Sequence, residues 1–215
     1  MSNPDSIKIV LLGETAVGKT SIIARYTNDI FNPETITSLS AQINSKEIEI
    51  NSQTVHFDIW DTAGQEKYRA LAEIFYKNAK VIIFVYDITN KRSFEEIKKY
   101  WYPKTKETTS EDIMYGLMGN KSDLYEKEEV NEEEARQYAE SINAIFQLTS
   151  AKSNSGIDIL FETIGKKFLK EKNKNGNDMK NNKDKKVINS NIKLEETKIE
   201  KKKEMLLILF KKYLI

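Results

Sequence analysis

The stretch Gly13-Glu14-Thr15-Ala16-Val17-Gly18-Lys19-Thr20 decides the fold of this chain, because it directly follows the apolar run Ile7–Leu12 and matches G-x-x-x-x-G-K-S/T. Glycines in such a loop let the backbone turn tightly and point its N–H groups at phosphate oxygens. The helix that follows adds its positive N-terminal end. Lys19 is expected to bridge the outer phosphates, and the Thr20 hydroxyl to bind Mg²⁺. The alternative is a chance strand, turn and helix; the motif itself predicts binding of a nucleoside triphosphate.

Length and charge indicate one folded domain with a basic appendage. The chain has 215 residues, enough for one well-packed domain and too few for two of ordinary size. Residues 171–215 contain 13 lysines and 7 acidic residues, whereas the whole chain has a net charge of +1, so the first 170 residues are mildly acidic. An acidic body argues against broad nucleic-acid binding. A basic tail is compatible with an anionic membrane, an acidic partner or simply a solvated disordered run.

The chain contains no cysteine. This excludes disulfides, thiolate metal sites, a cysteine nucleophile, and lipid attachment by prenylation or palmitoylation. The N-terminus has neither an apolar signal segment nor a glycine at position 2, so we expect a cytosolic location, with at most peripheral membrane contact.

Apolar runs alternate with segments of helical period over residues 1–170. Strands are predicted at Ile7–Leu12, Val55–Trp60, Val81–Tyr86, Ile113–Met118 and Ala144–Phe146, and helices at Lys19–Tyr26, Lys67–Lys77, Ser93–Lys106, Glu132–Ser141 and Ile157–Leu169. The alternating segments Ile43–Ile50 and Val55–Trp60, broken at Asn51-Ser52-Gln53, predict a hairpin and hence one antiparallel edge strand. The pattern predicts an α/β three-layer sandwich of the P-loop NTPase type, with a six-stranded, mostly parallel sheet.

Beyond this domain the chain changes character. Residues 171–200 are rich in lysine and asparagine and are predicted to form a flexible linker. Residues 201–215 place Leu206, Leu209 and Phe210 at helical spacing between lysine groups, which predicts a basic amphipathic segment. Its apolar core is far shorter than the roughly 20 residues that span a bilayer.

Three further motifs follow predicted strands. Asp61-Thr62-Ala63-Gly64-Gln65 comes after the strand that ends at Trp60, where Asp61 can hold Mg²⁺ through water and Gly64 can donate its N–H to a terminal phosphate. Asn120-Lys121-Ser122-Asp123 and Ser150-Ala151-Lys152 follow two later strands. A carboxylate such as Asp123 can accept from both N1–H and the 2-amino group of guanine, a pairing that adenine cannot offer.

With these motifs in this order, residues 7–170 resemble the Ras superfamily of small GTPases and, within it, the Rab family. Sequences typical of Rab proteins occur at residues 59–66, 67–71, 75–79 and 85–89. The first of them is Ile59-Trp60-Asp61-Thr62-Ala63-Gly64-Gln65-Glu66. The stretch from Tyr68 to Tyr76 and the motif Ser150-Ala151-Lys152 are most similar to the sequences of the endosomal Rabs.

The resemblance implies a site for GTP or GDP with Mg²⁺. The residues that it assigns to nucleotide binding are Gly13, Glu14, Thr15, Ala16, Val17, Gly18, Lys19, Thr20, Ser21, Phe31, Ser38, Asp61, Gly64, Asn120, Lys121, Asp123, Ser150, Ala151 and Lys152. Among these, Thr20, Ser38 and Asp61 are the expected magnesium ligands. Gln65, which would orient the attacking water, and Lys19 are the expected catalytic residues. The family also implies a monomeric switch in vesicular traffic that meets a GTPase-activating protein, an exchange factor and effectors.

The first switch region departs from the family pattern. The family has threonine, isoleucine and glycine beginning seven residues after Phe31, whereas this chain has Ser38-Leu39-Ser40. Serine keeps a hydroxyl for Mg²⁺, but Ser40 replaces a glycine, and Ile43 stands where Rabs usually carry an aromatic residue. A register based on Thr37 is an alternative. No built-in arginine finger is evident, so we expect slow hydrolysis that an activating protein accelerates.

Three functions are compatible with these motifs. The first is a GTP-hydrolysing switch, the second is a non-hydrolysing GTP-bound interaction module, and the third is an ATP-using enzyme, which Asn120-Lys121-Ser122-Asp123 disfavours. The cysteine-free tail also leaves alternatives, because Rabs normally end in prenylated cysteines. It is expected to be a membrane-interface helix, a partner-docking helix, or a terminus altered by an error in the gene model or transcript.

Overall fold

The computed structural model describes residues 6–33, 42–62 and 69–173. Its centre is a six-stranded sheet in the order β2-β3-β1-β4-β5-β6. The strands are β1 (Ile7–Leu12), β2 (Gln42–Ile50), β3 (Gln53–Asp61), β4 (Val81–Asp87), β5 (Met114–Asn120) and β6 (Ala144–Leu148). Only β2 is antiparallel to its neighbour; the other pairs of described strands are parallel. The predicted mostly parallel sheet with one antiparallel edge strand is confirmed.

Helices cover both faces of this sheet. They are α1 (Lys19–Asn28), α2 (Arg69–Tyr76), α3 (Lys91–Glu96), α4 (Tyr102–Thr108), α5 (Glu132–Ser141) and α6 (residues 157–173). On one face, apolar residues of α2, α3 and α5 share a core with β1, β4 and β5. On the other face, Tyr26 of α1 stacks on Phe161 of α6, with ring centroids 3.9 Å apart, and Phe161 also contacts Phe57 of β3. The layers explain why β4 and β5 are buried at every position.

The hairpin turn is shorter than the sequence pattern predicts. Ile50 pairs with Gln53, so only Asn51 and Ser52 form the connection, and both have a positive φ. A two-residue turn of this kind matches the twist of the strands that it joins. Gln53 therefore belongs to β3 and not to the turn.

The predicted helix Ser93–Lys106 is wrong in its start and in its continuity. The Asn90 side chain accepts a hydrogen bond from the Ser93 N–H, so α3 begins at Lys91. A π-helical turn at Ile97–Trp101 then separates α3 from α4. Such a turn widens the helix by one residue, which a continuous helical pattern in the sequence does not indicate.

Other boundaries shift by a few residues. Of the predicted helix Lys67–Lys77, residues 69–77 are described, and α2 ends at Tyr76, one residue before the predicted end. The predicted helix ending at Leu169 extends to residue 173. The segments at residues 174–200 and 201–215 lie outside the described residues. Among the helices that the structure describes, none is long and apolar enough to cross a membrane.

Candidate nucleotide-binding site

The loop between β1 and α1 has a backbone that two glycines make possible. Gly13 and Gly18 have φ values of 151° and 98°. A Cβ on Gly13 would come within 2.2 Å of the Val85 carbonyl oxygen, and one on Gly18 within 2.3 Å of the Asn120 amide nitrogen. These contacts are too close for any side chain. The loop is therefore pressed against β4 and β5 at their carboxyl ends.

Lys19 is the first residue of α1 and is almost completely buried. Its ammonium group donates hydrogen bonds of 2.8 Å to the carbonyl oxygens of Gly13 and Glu14. Burial lowers the pKa of Lys19 to about 8, although the carboxylates of Asp61 and Glu14 act in the opposite direction. The loop thus holds a desolvated cation that any bound phosphate would stabilise in its charged form.

Thr20 and Asp61 bring two oxygen atoms together beside Lys19. The Thr20 hydroxyl donates to Asp61 Oδ2 over 2.6 Å, and Asp61, the last residue of β3, is 2% exposed. Hydroxyl and carboxylate oxygens are hard ligands of the kind that Mg²⁺ prefers, and this ion usually takes its remaining ligands from water and phosphate. The donor set therefore fits Mg²⁺. The third expected ligand, Ser38, lies outside the described residues.

Asn120 connects the phosphate loop to the opposite side of the site. It is the last residue of β5, and its side-chain amide donates to the Val17 carbonyl oxygen over 2.8 Å. Its Oδ1 accepts from the backbone N–H of Ala151 at 3.3 Å. One buried amide therefore links the loop after β1 to the loop after β6.

Asp123 is held by the segment that follows β6. Its Oδ1 accepts a 2.6 Å hydrogen bond from the Ser150 hydroxyl, and Lys152 Nζ is 4.0 Å from its other oxygen. Ser150 is completely buried. The carboxylate thus has a defined orientation, as a residue that accepts two hydrogen bonds from one base requires.

A cavity of about 390 Å³ lies between the phosphate loop and Asp123. Twelve of the predicted site residues line it, namely Thr15, Ala16, Gly18, Lys19, Thr20, Ser21, Phe31, Asn120, Lys121, Asp123, Ala151 and Lys152. Gly13, Glu14, Val17, Asp61 and Ser150 support this lining from behind through the contacts described above. Gly64 and Gln65, like Ser38, lie outside the described residues.

Some residues that belong to this site are not among the predicted site residues. Asn32, Pro33, Thr62 and Leu124 also line the cavity. Asp87 forms an ion pair of 2.6 Å with Lys121, which the register of β4 and β5 makes possible because Asp87 lies opposite Asn120. Trp101 donates from its indole nitrogen to the Glu14 carboxylate at 3.3 Å. The Asp87–Lys121 pair is evident only from the sheet register, and the Trp101–Glu14 contact only from the position of Trp101 at the end of the π-helical turn.

Comparison with known proteins places this site in a family. Residues 8–170 match the model of the Ras family. Over 164 residues the chain is 42% identical to the Ras-related protein Rab-21 of Homo sapiens, covering 76% of this chain and 72% of that protein, and equally to the Rab-21 of Bos taurus, 73% of which is covered. It is 40% identical over 165 residues to the Ras-related protein RabJ of Dictyostelium discoideum, covering 77% of this chain and 64% of that one. The chain belongs to the Rab family of Ras-superfamily small GTPases, enzymes that bind guanine nucleotides, hydrolyse GTP and interact with activating proteins, exchange factors and effectors.

Proposed function

We propose that this chain is a monomeric, GTP/GDP-dependent switch in vesicular membrane traffic, acting at endosomal membranes and hydrolysing GTP slowly with Mg²⁺. The observation that carries this proposal is the single cavity that joins the phosphate loop to Asn120 and Asp123. A site with a phosphate cradle at one end and an oriented carboxylate at the other suits a nucleotide with a guanine base.

At the base end, Asp123 accepts from the N1–H and 2-amino groups of guanine. Ser150 holds the carboxylate in place, and Lys121, kept in position by Asp87, covers the base. Phe31 closes the cavity from the side of α1. Adenine has no pair of donors at these positions, so the site favours guanine nucleotides.

At the phosphate end, Lys19 stabilises negative charge on the outer phosphate oxygens. Thr20 and Asp61 supply oxygen atoms for Mg²⁺, and Ser38 is the third proposed ligand; the ion offsets phosphate charge when it is bound. Gln65 orients the attacking water. Among the residues that the structure describes, no arginine lines the cavity, which supports slow intrinsic hydrolysis that a GTPase-activating protein accelerates.

The compartment and the membrane contact rest on sequence features. The stretch Tyr68–Tyr76 and the motif Ser150-Ala151-Lys152 support the endosomal assignment, because they are similar to the sequences of endosomal Rabs. For membrane contact we propose the basic amphipathic segment 201–215, reached through the linker 171–200 that follows the GTPase domain at residues 1–170.

Nucleotide turnover by the wild type and two variants tests the proposal. Asp123→Asn should shift the preference from GTP towards xanthosine triphosphate, because an amide can donate to the carbonyl oxygen at position 2 of xanthine. Gln65→Leu should lower the turnover of GTP, both alone and with an activating protein, without abolishing GTP binding. Unchanged base preference in Asp123→Asn would contradict the base-reading assignment. Equal turnover in Gln65→Leu would remove Gln65 from the mechanism.

A further inference from the structure

Arg25 on α1 contacts the loop that follows β6, although 126 positions of sequence separate the two bonded residues. Its Nε donates a 2.9 Å hydrogen bond to the carbonyl oxygen of Ala151. Its Nη1 donates to Asp29 twice, at 2.7 Å to the carboxylate and at 2.9 Å to the backbone carbonyl. The Asn154 side chain completes a ring with a 3.4 Å hydrogen bond to the same Asp29 carboxylate. We call Arg25, Asp29, Ala151 and Asn154 the α1 clamp.

The geometry of the clamp depends on an arginine. The Arg25 side chain is only 15% exposed, and its planar guanidinium group donates to acceptors on two different segments. A lysine at this position keeps the charge for Asp29, but its single ammonium group lacks the rigid fork that spans both acceptors. The contact with Ala151 is therefore specific to the arginine side chain.

One end of the clamp fixes the wall of the cavity that comes from α1. Asp29 ends α1 in a left-handed conformation with φ 55°, and its backbone N–H closes the helix onto Ala24 and Arg25. Phe31 follows two residues later and lines the cavity. The direction in which the chain leaves α1 towards Phe31 is thus set at Asp29.

The other end of the clamp fixes the loop that orients Asp123. Ala151 donates its own N–H to Asn120, and the preceding Ser150 donates its hydroxyl to Asp123 at 2.6 Å. A displacement of the Ala151 carbonyl group is therefore transmitted to Asp123 through one peptide unit and one short hydrogen bond.

We propose that Arg25 is a positioning residue for guanine discrimination, which holds the 150–152 loop so that Ser150 keeps Asp123 aligned with the base. This inference rests on the proposed role of Asp123 in reading guanine. It differs from a purely structural role of Arg25 in α1. A structural role weakens the binding of all nucleotides alike, whereas a positioning role lowers the preference for nucleotides that carry the 2-amino group.

Competition of GDP and inosine diphosphate against fluorescent GDP tests the proposal in the full chain, since inosine lacks only that 2-amino group. Arg25→Gln removes both contacts, and Arg25→Lys removes the fork while keeping the charge. We expect GDP to bind about tenfold more weakly to Arg25→Gln, as for loss of a charged hydrogen bond, and its preference over inosine diphosphate to fall about threefold. Arg25→Lys should show the same fall in preference with a smaller loss of affinity.

Two further variants make the result specific. Arg136→Gln is the matched control, because Arg136 also forms an ion pair with a carboxylate one helical turn away, Glu132 on α5, and lines no part of the cavity. It should keep the wild-type preference. Asp123→Asn should abolish the preference. If both Arg25 variants retain the wild-type preference while Asp123→Asn loses it, the inference is overturned and the proposed function stands. If Asp123→Asn also retains the preference, both are overturned.

Discussion

At the scale of single residues, the site contains charges whose environment the phosphate loop and the sheet determine. Lys19 is the clearest case, because its ammonium group is enclosed by backbone carbonyls and its pKa lies near 8 instead of 10.5. A lysine whose pKa is lowered by folding destabilises the fold while it is charged in the absence of a compensating anion. Its contribution to stability therefore rises as the pH increases from about 8 to 10.5.

This position of Lys19 predicts proton uptake on nucleotide binding at pH 9. At pH 9 the Lys19 side chain is mostly neutral, and bound phosphate favours its ammonium form, so Lys19 takes up a proton when GDP binds. For the same reason, the affinity for GDP decreases as the pH rises above 8. Calorimetric titration with GDP in two buffers of different ionisation enthalpy measures the uptake. Lys98→Gln is the control, because the hydrogen bond with Glu95 raises the pKa of Lys98, which is therefore charged at pH 9 with or without GDP. This variant should take up as many protons as the wild type. The absence of proton uptake at pH 9 would contradict the prediction.

Asp87 is a second residue whose role only the structure indicates. Its ion pair with Lys121 is mostly buried, and the Asp87 carboxylate also accepts from the N–H and hydroxyl of Thr89. Asp87→Asn keeps the shape but removes the charge that holds Lys121, so GDP should dissociate about tenfold faster. A fluorescent GDP chase measures this rate. Glu95→Gln, which removes a carboxylate paired with Lys98 at the surface, should leave it unchanged, and an unaltered rate in Asp87→Asn would show that Lys121 does not need its partner.

At the scale of elements, the agreement between sequence and structure depends on whether a signal is local. The helix Glu132–Ser141 is predicted with its ends correct, because Asn131 caps it and three glutamates occupy its first turn. The strands β1 and β4 at the centre of the sheet are likewise evident as buried apolar runs. The π-helical turn at Ile97–Trp101 could not be predicted, since its residues fit an ordinary helical pattern, and the contact of Trp101 with Glu14 joins residues 87 positions apart.

The same distinction holds for the site. Gly18, Lys19, Asn120 and Asp123 belong to contiguous motifs and are found around one cavity. The partners Asp87 and Arg25 are single residues without a motif. They meet the site only because a strand register or a helix end brings them there, which one sequence without its fold does not indicate.

The cap of α5 gives a prediction at this scale. The Asn131 side chain accepts a 2.8 Å hydrogen bond from the Glu133 N–H. Asn131→Ala should therefore lower the free energy of unfolding by about 1 kcal/mol, whereas Asn131→Asp, which keeps the acceptor, should change it little. Urea unfolding of the GDP-loaded protein measures both. Equal losses in the two variants would show that the cap is not the source of stability.

At the scale of the whole molecule, charge divides the chain between an acidic body and a basic terminal stretch. Opposite charges at the two ends of one chain suit a protein whose body remains in solution while its tail meets an anionic surface. Residues 201–215 carry five lysines beside apolar side chains, the composition that such contact with an anionic surface would use.

The tail hypothesis predicts salt-sensitive membrane binding. The full chain should sediment with vesicles that contain phosphatidylserine, and replacing the five lysines at positions 201–203, 211 and 212 by glutamine should reduce the bound fraction strongly, because each basic residue near such a surface contributes about 1 kcal/mol. Binding should weaken at high salt and be much lower on neutral vesicles. Equal sedimentation of the two proteins would exclude an electrostatic anchor in this segment and favour a partner-docking role.

The contact between Gly18 and Asn120 has a consequence for how this protein can change. Because a Cβ at position 18 would occupy the space of the Asn120 amide, and that amide in turn bonds to Val17 and Ala151, no side chain can be added at position 18 while Asn120 keeps its place. A substitution of Asn120 would remove its hydrogen bond to Val17 in the phosphate loop together with its hydrogen bond to Ala151. Along an evolutionary path, a side chain at position 18 would therefore require a change at Asn120 first.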